Sequence, residues 1–266
     1  MDEYLNKGIK ELIVEFPKTG DVLQRYNIGC VTCSVGTCLL KDIVGIHNLS
    51  PDDEESLMDE LSEVFYPGRE PAPKKAHRKT EFKRREIKYS PPINKLVDEH
   101  TLIKNFLALI PDIIRTVDIN MEDGRQLIKD GVDFIRSYAD RYHHAKEEDI
   151  LFKYFDANLD IIKVMNEDHQ KGRGYVKGIL QGITVKDKRV IAEYLNGYRE
   201  LLTEHIKKED EILYPWMDQN LSTSQIGEMF GRFNETDGKF ADTETKYRNF
   251  IKELSNKIQS PVQIPI

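Results

Sequence analysis

Hydrophobic side chains recur every three or four residues along most of this chain, which is the spacing of one face of an α-helix. After residue 90 the pattern marks four long amphipathic segments, at about 91–110, 121–155, 160–180 and 187–217. We expect the first stripe to end at Pro111, because proline removes a backbone donor and clashes with the preceding turn. Strand-like alternation is absent from the sequence. The segments therefore predict an all-α fold, a four-helix up-down bundle.

Shifts in composition divide the chain into four predicted parts. Residues 1–67 repeat the helical spacing in shorter segments and predict a small helical N-terminal domain that precedes the bundle. Residues 68–90 are basic and interrupted by proline and glycine, which is typical of an exposed linker, although a docking strip for an acidic partner protein has the same composition. Residues 91–220 form the predicted bundle. Residues 221–266 add a charged C-terminal helix and tail that could wrap around the outside.

The composition narrows the class of protein. Hydrophobic residues make up 39% of the 266 residues and charged residues 32%, a balance typical of a soluble globular protein. The formal net charge of −7 argues against nucleic acid as the main partner. No apolar run approaches the roughly 18 residues that would span a bilayer, and no signal peptide is visible. We therefore expect a cytoplasmic protein that binds neither nucleic acid nor membrane.

Two segments of the predicted bundle repeat one pattern of polar and apolar residues. His143 is followed four residues later by Glu147, and His205 is followed four residues later by Glu209. On a helix this spacing places the imidazole and the carboxylate on the same face, one turn apart. Cations such as iron, manganese and zinc favour this pair of ligand types. Two such helices facing each other predict a site for two metal ions.

Each of the four bundle segments carries a histidine on its apolar face. His100 continues the first stripe and His169 the third. His143 and His205 face inward on the second and fourth, whereas His144 is expected to be turned by about 100° toward the rim. A single histidine on an apolar face is more often a core side chain than a ligand. Four of them with two acids would all need partners in the interior, and a metal centre satisfies all six groups at once.

The residues around these pairs resemble a known family. The motifs are KEEDILF at 146–152 and KEDEILY at 208–214, and they resemble the hemerythrin-like HHE cation-binding family. Within that family the pattern is most similar to the repair-of-iron-centres di-iron proteins, over about residues 91–220. The resemblance implies a centre of two non-haem iron ions bridged by carboxylates. The metal ligands that it implies are His100, His143, His169 and His205, with Glu147 and Glu209 as the bridges.

Three comparisons with the family bear on the ligands and the function. Aligning the two Lys-Glu pairs favours His143 with Glu147, while the pair His144 and Glu148 stays open. Oxygen-carrying hemerythrins have a His-x3-His pair on the third helix, but here the second position is Arg173. They end in His-x4-Asp, a spacing that Asp210 meets, although Glu209 fits the repair-type pattern better. Fewer imidazoles leave open positions at iron, which favours reaction with nitric oxide or oxidants over reversible oxygen carriage.

Three cysteines lie within nine residues in the predicted N-terminal domain. The segment 25–33 resembles the short helical domain that precedes the di-iron bundle in repair-type proteins. The candidate residues for a second metal or redox site are Cys30, Cys33 and Cys38. A site of four thiolates from one chain is excluded. A mixed site with His47 or Asp42, a site completed across a dimer, redox-active thiols and inert buried thiols all stay open.

These features lead to a hypothesis for function. The chain is expected to be a non-haem di-iron protein that binds or reacts with nitric oxide or oxidants, and that supports repair of iron–sulfur centres or nitric oxide detoxification. Its expected partners are the small gas and an electron-donor or iron–sulfur protein. If it is an enzyme, it is a nitric oxide- or peroxide-reactive di-iron oxidoreductase. The alternatives are an oxygen or iron sensing or storage module acting through a partner, and a metal site that only stabilises the bundle. The metal's identity and a homodimer stay open.

Overall fold

A computed structural model describes residues 2–26, 28, 38–43, 47, 49–68 and 88–259. Within these ranges the regular elements are helices, and the single β feature is an isolated bridge between Gly8 and Leu39. The predicted all-α class is therefore confirmed. The chain divides into two compact units, one of residues 1–89 with 211–220 and one of residues 90–210 with 221–266. No helix in the described ranges is long and apolar enough to cross a membrane.

The first unit contains short helices, which confirms a helical N-terminal region. They are α1 (Asp2–Leu5), α2 (Ile9–Glu15), α3 (Lys18–Arg25), a 3-10 turn (Leu40–Asp42) and α4 (Pro51–Phe65). Their apolar core includes Ile9, Leu12, Leu23, Leu40, Leu57 and Leu61. Helix α4 has a well-defined start, because Ser50 Oγ accepts a hydrogen bond from the backbone of Asp53 and Pro51 needs no donor at the first helical position.

The second unit contains the four-helix bundle. Its elements are α5 (Pro91–Thr116), α6 (Glu122–Phe134), a π-helical segment (Ile135–His144), α7 (Ala145–Asp149), α8 (Asp160–Val185) and α9 (Lys188–Lys208). A 3-10 turn (Leu151–Tyr154) follows α7. A second π-helical segment (Glu209–Leu213) follows α9 and leads into α10 (Tyr214–Asn220), which belongs to the first unit. Short connections between consecutive long helices give the up-down arrangement that the hydrophobic pattern predicts.

The expectation that Pro111 ends the first bundle helix is wrong. Helix α5 continues to Thr116 with Pro111 inside it. A proline in a helix interior costs about 3 kcal/mol. Ile110 and Ile113 on either side are 0% and 3% exposed, and burial of each such side chain contributes about 1.5–3 kcal/mol. Burial of the two isoleucines offsets the cost of the proline, so the helix continues.

The charged C-terminal segment contributes to the core of the second unit as well as to its surface. It forms α11 (Thr223–Lys239) and α12 (Thr243–Gln259), which both pack against α5. Its buried side chains are Met229, Phe233, Tyr247, Ile251 and Leu254. These five buried side chains attach two helices of 17 residues each to the bundle.

Glycine allows close contact between α8 and α9. A Cβ atom at Gly182 would lie 2.8 Å from Ile191 Cγ1 and 3.1 Å from the Ile191 backbone nitrogen. We therefore expect Gly182→Ala to lower the free energy of unfolding by about 1–3 kcal/mol, as overpacking does. Gly174 on the same helix has nothing within 4 Å of such an atom, so Gly174→Ala should raise it by about 0.5–1 kcal/mol. Denaturant titration measures both values, and a stabilising Gly182→Ala would contradict the close packing.

Candidate metal centre

Five histidines and two glutamates converge inside the bundle. They are His100 on α5, His143 and His144 in the first π-helical segment, Glu147 on α7, His169 on α8, His205 on α9 and Glu209 at the start of the second π-helical segment. Every one of these residues is at most 5% exposed. Ionisable groups held this far from water need an ion, a proton or a hydrogen-bond partner to balance them.

The seven residues form two groups, in each of which one ligand atom per residue lies within 4.8 Å of the others. Group 1 consists of His144, Glu147, His169 and His205. Group 2 consists of His100, His143, Glu147 and Glu209. Glu147 belongs to both: its Oε2 atom lies 3.4 Å from His169 Nε2 and 3.8 Å from His143 Nε2. One carboxylate therefore connects the two groups.

Glu209 also reaches both groups. Its Oε1 atom lies 3.1 Å from His205 Nε2, and its Oε2 atom lies 3.3 Å from His100 Nε2. Within group 1 the Nε2 atoms of His169 and His205 are 3.0 Å apart. Two nitrogens at about 2.1 Å from one ion and at right angles to each other would have about this separation. The spacing is therefore suited to two neighbouring ion positions joined by two carboxylates.

Several atoms of the two groups that could bind a metal are buried and make no hydrogen bond to the described part of the chain. They include Nε2 of His143 and both carboxylate oxygens of Glu209. A buried polar atom left in this state costs about 1–3 kcal/mol, and a charged one costs more. A cation in each group would satisfy these atoms together. The donor set of imidazole and carboxylate therefore fits metal ions such as iron or zinc.

Each histidine of the two groups directs its Nδ1 atom toward a carboxylate outside the groups. Three pairs are at hydrogen-bond distance: His100–Asp210 at 2.7 Å, His143–Glu99 at 2.9 Å and His169–Glu148 at 2.7 Å. Two pairs are at 3.7 Å: His144–Asp140 and His205–Asp168. We call these five acids the outer carboxylates. A carboxylate accepts a hydrogen bond from the ring N–H, which fixes the tautomer and leaves Nε2 available to a metal.

Each outer carboxylate is paired with a lysine or arginine. The lysine pairs are Lys104–Asp210 at 2.6 Å, Lys146–Glu99 at 2.5 Å and Lys208–Asp168 at 3.2 Å. Arg173 binds two of them, with Nε 2.9 Å from Asp140 Oδ1 and Nη2 2.8 Å from Glu148 Oε1. Arg173 thus occupies the position of the second histidine of oxygen carriers, and it holds the carboxylates that face His144 and His169.

The expectation that His144 turns toward the rim is wrong. Its ring stacks on that of His169, with centroids 3.9 Å apart and planes at 13°. A π-helix has more residues per turn than an α-helix, so His143 and His144 are separated by a smaller angle and both reach the interior. Local sequence does not mark where such a segment begins, which is why the spacing argument missed His144. Glu148 of the alternative pair lies outside both groups, against His169.

Burial keeps three of the imidazoles neutral. Burial, followed by the charge of neighbouring imidazoles, lowers the pKa values of the ring nitrogens in His143 and His144, in the latter to about 3. Burial also lowers the pKa of His169, against the opposing effect of Glu148. Neutral imidazole is the form that binds a metal. These three rings are therefore in the ligand form at neutral pH.

Neighbouring acids raise the pKa values of the other two imidazoles. Burial alone would lower the pKa of His205, but Glu209 and Asp168 outweigh it and raise the pKa to about 9. Burial is likewise opposed at His100, where Asp210 and Glu209 raise the pKa. At neutral pH, a metal ion must displace the proton of His205 before this ring can bind it.

We expect metal uptake to release protons, so the apparent affinity should increase with pH. The raised pKa of His205 means that the cost of deprotonation falls from pH 7 to about pH 9. Each released proton contributes up to about a tenfold gain in affinity per pH unit. Calorimetric titration with Zn2+ in buffers of different protonation enthalpy counts the protons. Affinity that is constant or falls across this range would contradict the assignment.

Of the three cysteine candidates, the structure describes Cys38. Cys38 belongs to the first unit, where it is half-buried and its backbone oxygen accepts a hydrogen bond from Ile9 at 2.9 Å. Cys30 and Cys33 lie outside the described residues. In the described ranges, groups 1 and 2 are the clusters of at least three potential metal ligands whose ligand atoms lie within 4.8 Å of one another. A second metal or redox site at the cysteines therefore stays a prediction.

Comparison with protein families agrees with this geometry. Residues 91–217 match the family described as Hemerythrin HHE cation binding domain, and this segment contains all seven residues of groups 1 and 2. Comparisons with curated proteins and with solved structures give no match. The family implies binding of metal, namely iron. Residues 91–217 therefore match a hemerythrin HHE cation-binding domain, and the described residues of this segment are helical.

Proposed function

We propose that this chain is a non-haem di-iron protein that binds nitric oxide or reacts with oxidants. The observation that carries the proposal is that Glu147 and Glu209 each approach histidines of both groups. Groups 1 and 2 would each hold one iron ion, with these two carboxylates as bridges. Bound iron would supply a redox-active centre with positions for a small ligand.

The two groups offer different numbers of donors. Group 1 has three imidazoles and Glu147, and an oxygen of Glu209 lies next to it. Group 2 has only two imidazoles, His100 and His143, with the same two carboxylates. Non-haem iron sites with few protein ligands keep positions open for small molecules. We therefore assign the binding of nitric oxide or an oxidant to group 2.

The residues around the groups would orient the ligands and exclude water. The outer carboxylates fix the imidazole rings, and the paired lysines and Arg173 hold the carboxylates in turn. The complete burial of Glu147 and Glu209 removes competing water from the carboxylates. These residues thus prepare the centre to bind a small uncharged molecule.

More specifically, the chain would support the repair of iron–sulfur centres or the detoxification of nitric oxide. Such a role needs electrons, which an electron-donor or iron–sulfur protein partner would supply, with the candidate cysteines as a route. The resemblance of segment 25–33 to the repair-type domain is what supports this role. A cytoplasmic location and a homodimer stay predictions.

Oxygen or iron sensing or storage is the second candidate function, and His144 favours it. The argument against oxygen binding was the missing imidazole partner at Arg173. His144 brings a third imidazole to group 1, and a fifth to the two groups together, from a different helix, which weakens that argument. The two functions therefore need to be separated by experiment.

Anaerobic loading with Fe2+ followed by titration with nitric oxide tests the proposal. Metal analysis should give two iron ions per chain, and nitric oxide should change the optical and paramagnetic spectra. Oxygen binding that is reversed by deoxygenation would favour the second candidate, whereas irreversible oxidation would favour the first. A protein that retains no iron after loading would exclude both.

A further inference from the structure

A fully buried lysine connects the metal centre to a helix outside the matched family segment. Lys146 is 0% exposed. Its Nζ atom lies 2.5 Å from Glu99 Oε1, 2.6 Å from Asp237 Oδ1 and 3.6 Å from the centroid of the Tyr142 ring. An ammonium group in the interior is costly unless anions and hydrogen-bond acceptors replace its water. Glu99 and Asp237 provide that replacement together.

Glu99 extends this contact to a histidine of group 2. Its second oxygen, Oε2, lies 2.9 Å from His143 Nδ1. The continuous series of contacts is therefore Asp237 to Lys146, Lys146 to Glu99, and Glu99 to His143. Without the charge of Asp237, Lys146 would have one anionic partner instead of two. It would then compete with His143 for Glu99.

Asp237, the first residue of this series of contacts, is itself held in place by two further side chains. It lies on α11, beyond residue 217 where the matched segment ends. Lys95 Nζ lies 2.5 Å from its Oδ2 atom, and the hydroxyl of Tyr142 donates a hydrogen bond to Oδ1 at 2.9 Å. These contacts fix both carboxylate oxygens of Asp237. Its side chain is 27% exposed, so one edge of the carboxylate faces solvent.

We propose that Asp237 is a positioning residue for the metal ion of group 2. Through Lys146 it keeps Glu99 directed at His143, and thereby keeps the His143 ring oriented toward the ion. The proposal rests on the metal binding proposed above. It gives the C-terminal helix α11 a role in the centre that the family segment alone does not contain.

The effect should be confined to group 2. The outer carboxylates of group 1 are Asp140, Glu148 and Asp168, and their basic partners are Arg173 and Lys208. Within the described residues, the Asp237 side chain contacts Lys95, Tyr142 and Lys146, and none of these belongs to group 1 or its outer carboxylates. Loss of Asp237 should therefore weaken one of two bound ions and leave the other unchanged.

Release of Co2+ to a chelator tests the proposal in the full-length protein. Wild type loaded with two Co2+ ions should release them in two phases. Asp237→Asn should accelerate one phase about tenfold, the lower end of the effect of losing a supporting residue, and should leave the other phase unchanged. Equal acceleration of both phases, or of neither, would overturn the proposal.

Asp133→Asn is the matched control. Asp133 also accepts from a lysine and a tyrosine, Lys246 at 2.8 Å and the Tyr247 hydroxyl at 2.8 Å. In the part of the chain that the structure describes, its side chain contacts Ser137, Lys246 and Tyr247, and no histidine. The control also removes the charge of a carboxylate that pairs with a lysine and a tyrosine in the second unit. It should leave both phases at their wild-type rates. If it changes release as much as Asp237→Asn does, the effect is general destabilisation and the proposal fails.

The double variant shows whether Asp237 acts through Glu99. Glu99→Gln by itself should accelerate the same phase. Asp237→Asn added to Glu99→Gln should then cause no further change, because the connecting carboxylate is already lost. A full additional tenfold effect would mean that Asp237 acts by another route, and the proposal would be wrong.

Nitrogen NMR of the metal-free protein separates this proposal from metal binding. The ring 15N shifts of His143 should change in Asp237→Asn and remain as in wild type in Asp133→Asn. A His143 signal that is indifferent to Asp237→Asn would overturn the positioning role. If Asp237→Asn changes the His143 shifts but the wild-type protein binds neither Co2+ nor Fe2+, the proposed function is overturned instead.

Discussion

Glu147→Ala should abolish tight binding of both metal ions. Glu147 is the residue common to groups 1 and 2, and its carboxylate is 0% exposed between His169 and His143. Loss of a direct ligand shared by two ions should exceed the about 10- to 100-fold weakening that follows loss of an outer partner. Metal content after anaerobic Fe2+ loading and gel filtration measures the result.

Glu148→Ala is the control for this prediction. Glu148 is adjacent in sequence, but it contacts the outer side of His169, together with Arg173. We expect both ions to remain, with the affinity of group 1 lowered by about 10- to 100-fold. If Glu148→Ala removed both ions while Glu147→Ala kept them, the pair His144 and Glu148 would be the correct register and the two groups would be wrongly assigned.

His144→Leu should remove one ion and leave the other. His144 is a member of group 1 only, and leucine keeps an apolar side chain of similar size against His169. We expect about one iron ion per chain, with the ion of group 2 retained. His143→Leu should have the converse effect, since His143 belongs only to group 2.

Spectra of cobalt-substituted protein distinguish the two variants, because each keeps a different set of imidazoles around the remaining ion. Two ions bound to His144→Leu with wild-type affinity would contradict the role of His144. They would instead support the original expectation that its ring lies at the rim. The residue's 5% exposure argues against that outcome.

The bundle could be predicted from sequence because its cause is local. Apolar residues at helical spacing must be buried on one face, and that requirement alone places the four long segments. Pro111 is the exception, since its effect depends on how much the residues around it gain from burial, as Ile110 and Ile113 do. Charged residues surround the apolar stripe of α11 and α12, so the sequence does not reveal how deeply the stripe is buried. Met229 and Phe233 are nevertheless fully buried.

The direct candidates for metal binding could be predicted, but most of their supporting residues could not. The i+4 spacing brought out His143, Glu147, His205 and Glu209, and the structure places all four in the two groups. His144 depends on a π-helical segment that local sequence does not reveal. The outer carboxylates come from other helices or other turns, so their proximity is a property of the packed bundle. Glu99, for example, is 44 positions from His143 in the sequence, but its Oε2 atom lies 2.9 Å from His143 Nδ1.

Anomalous diffraction at the iron edge tests the central claim most directly. Crystals of the full-length protein loaded anaerobically with Fe2+ should show two iron peaks in the second unit. One should lie among His144, His169 and His205, the other among His100, His143 and Glu209, with Glu147 in contact with both. A single peak, or peaks away from Glu147, would contradict the two-group centre.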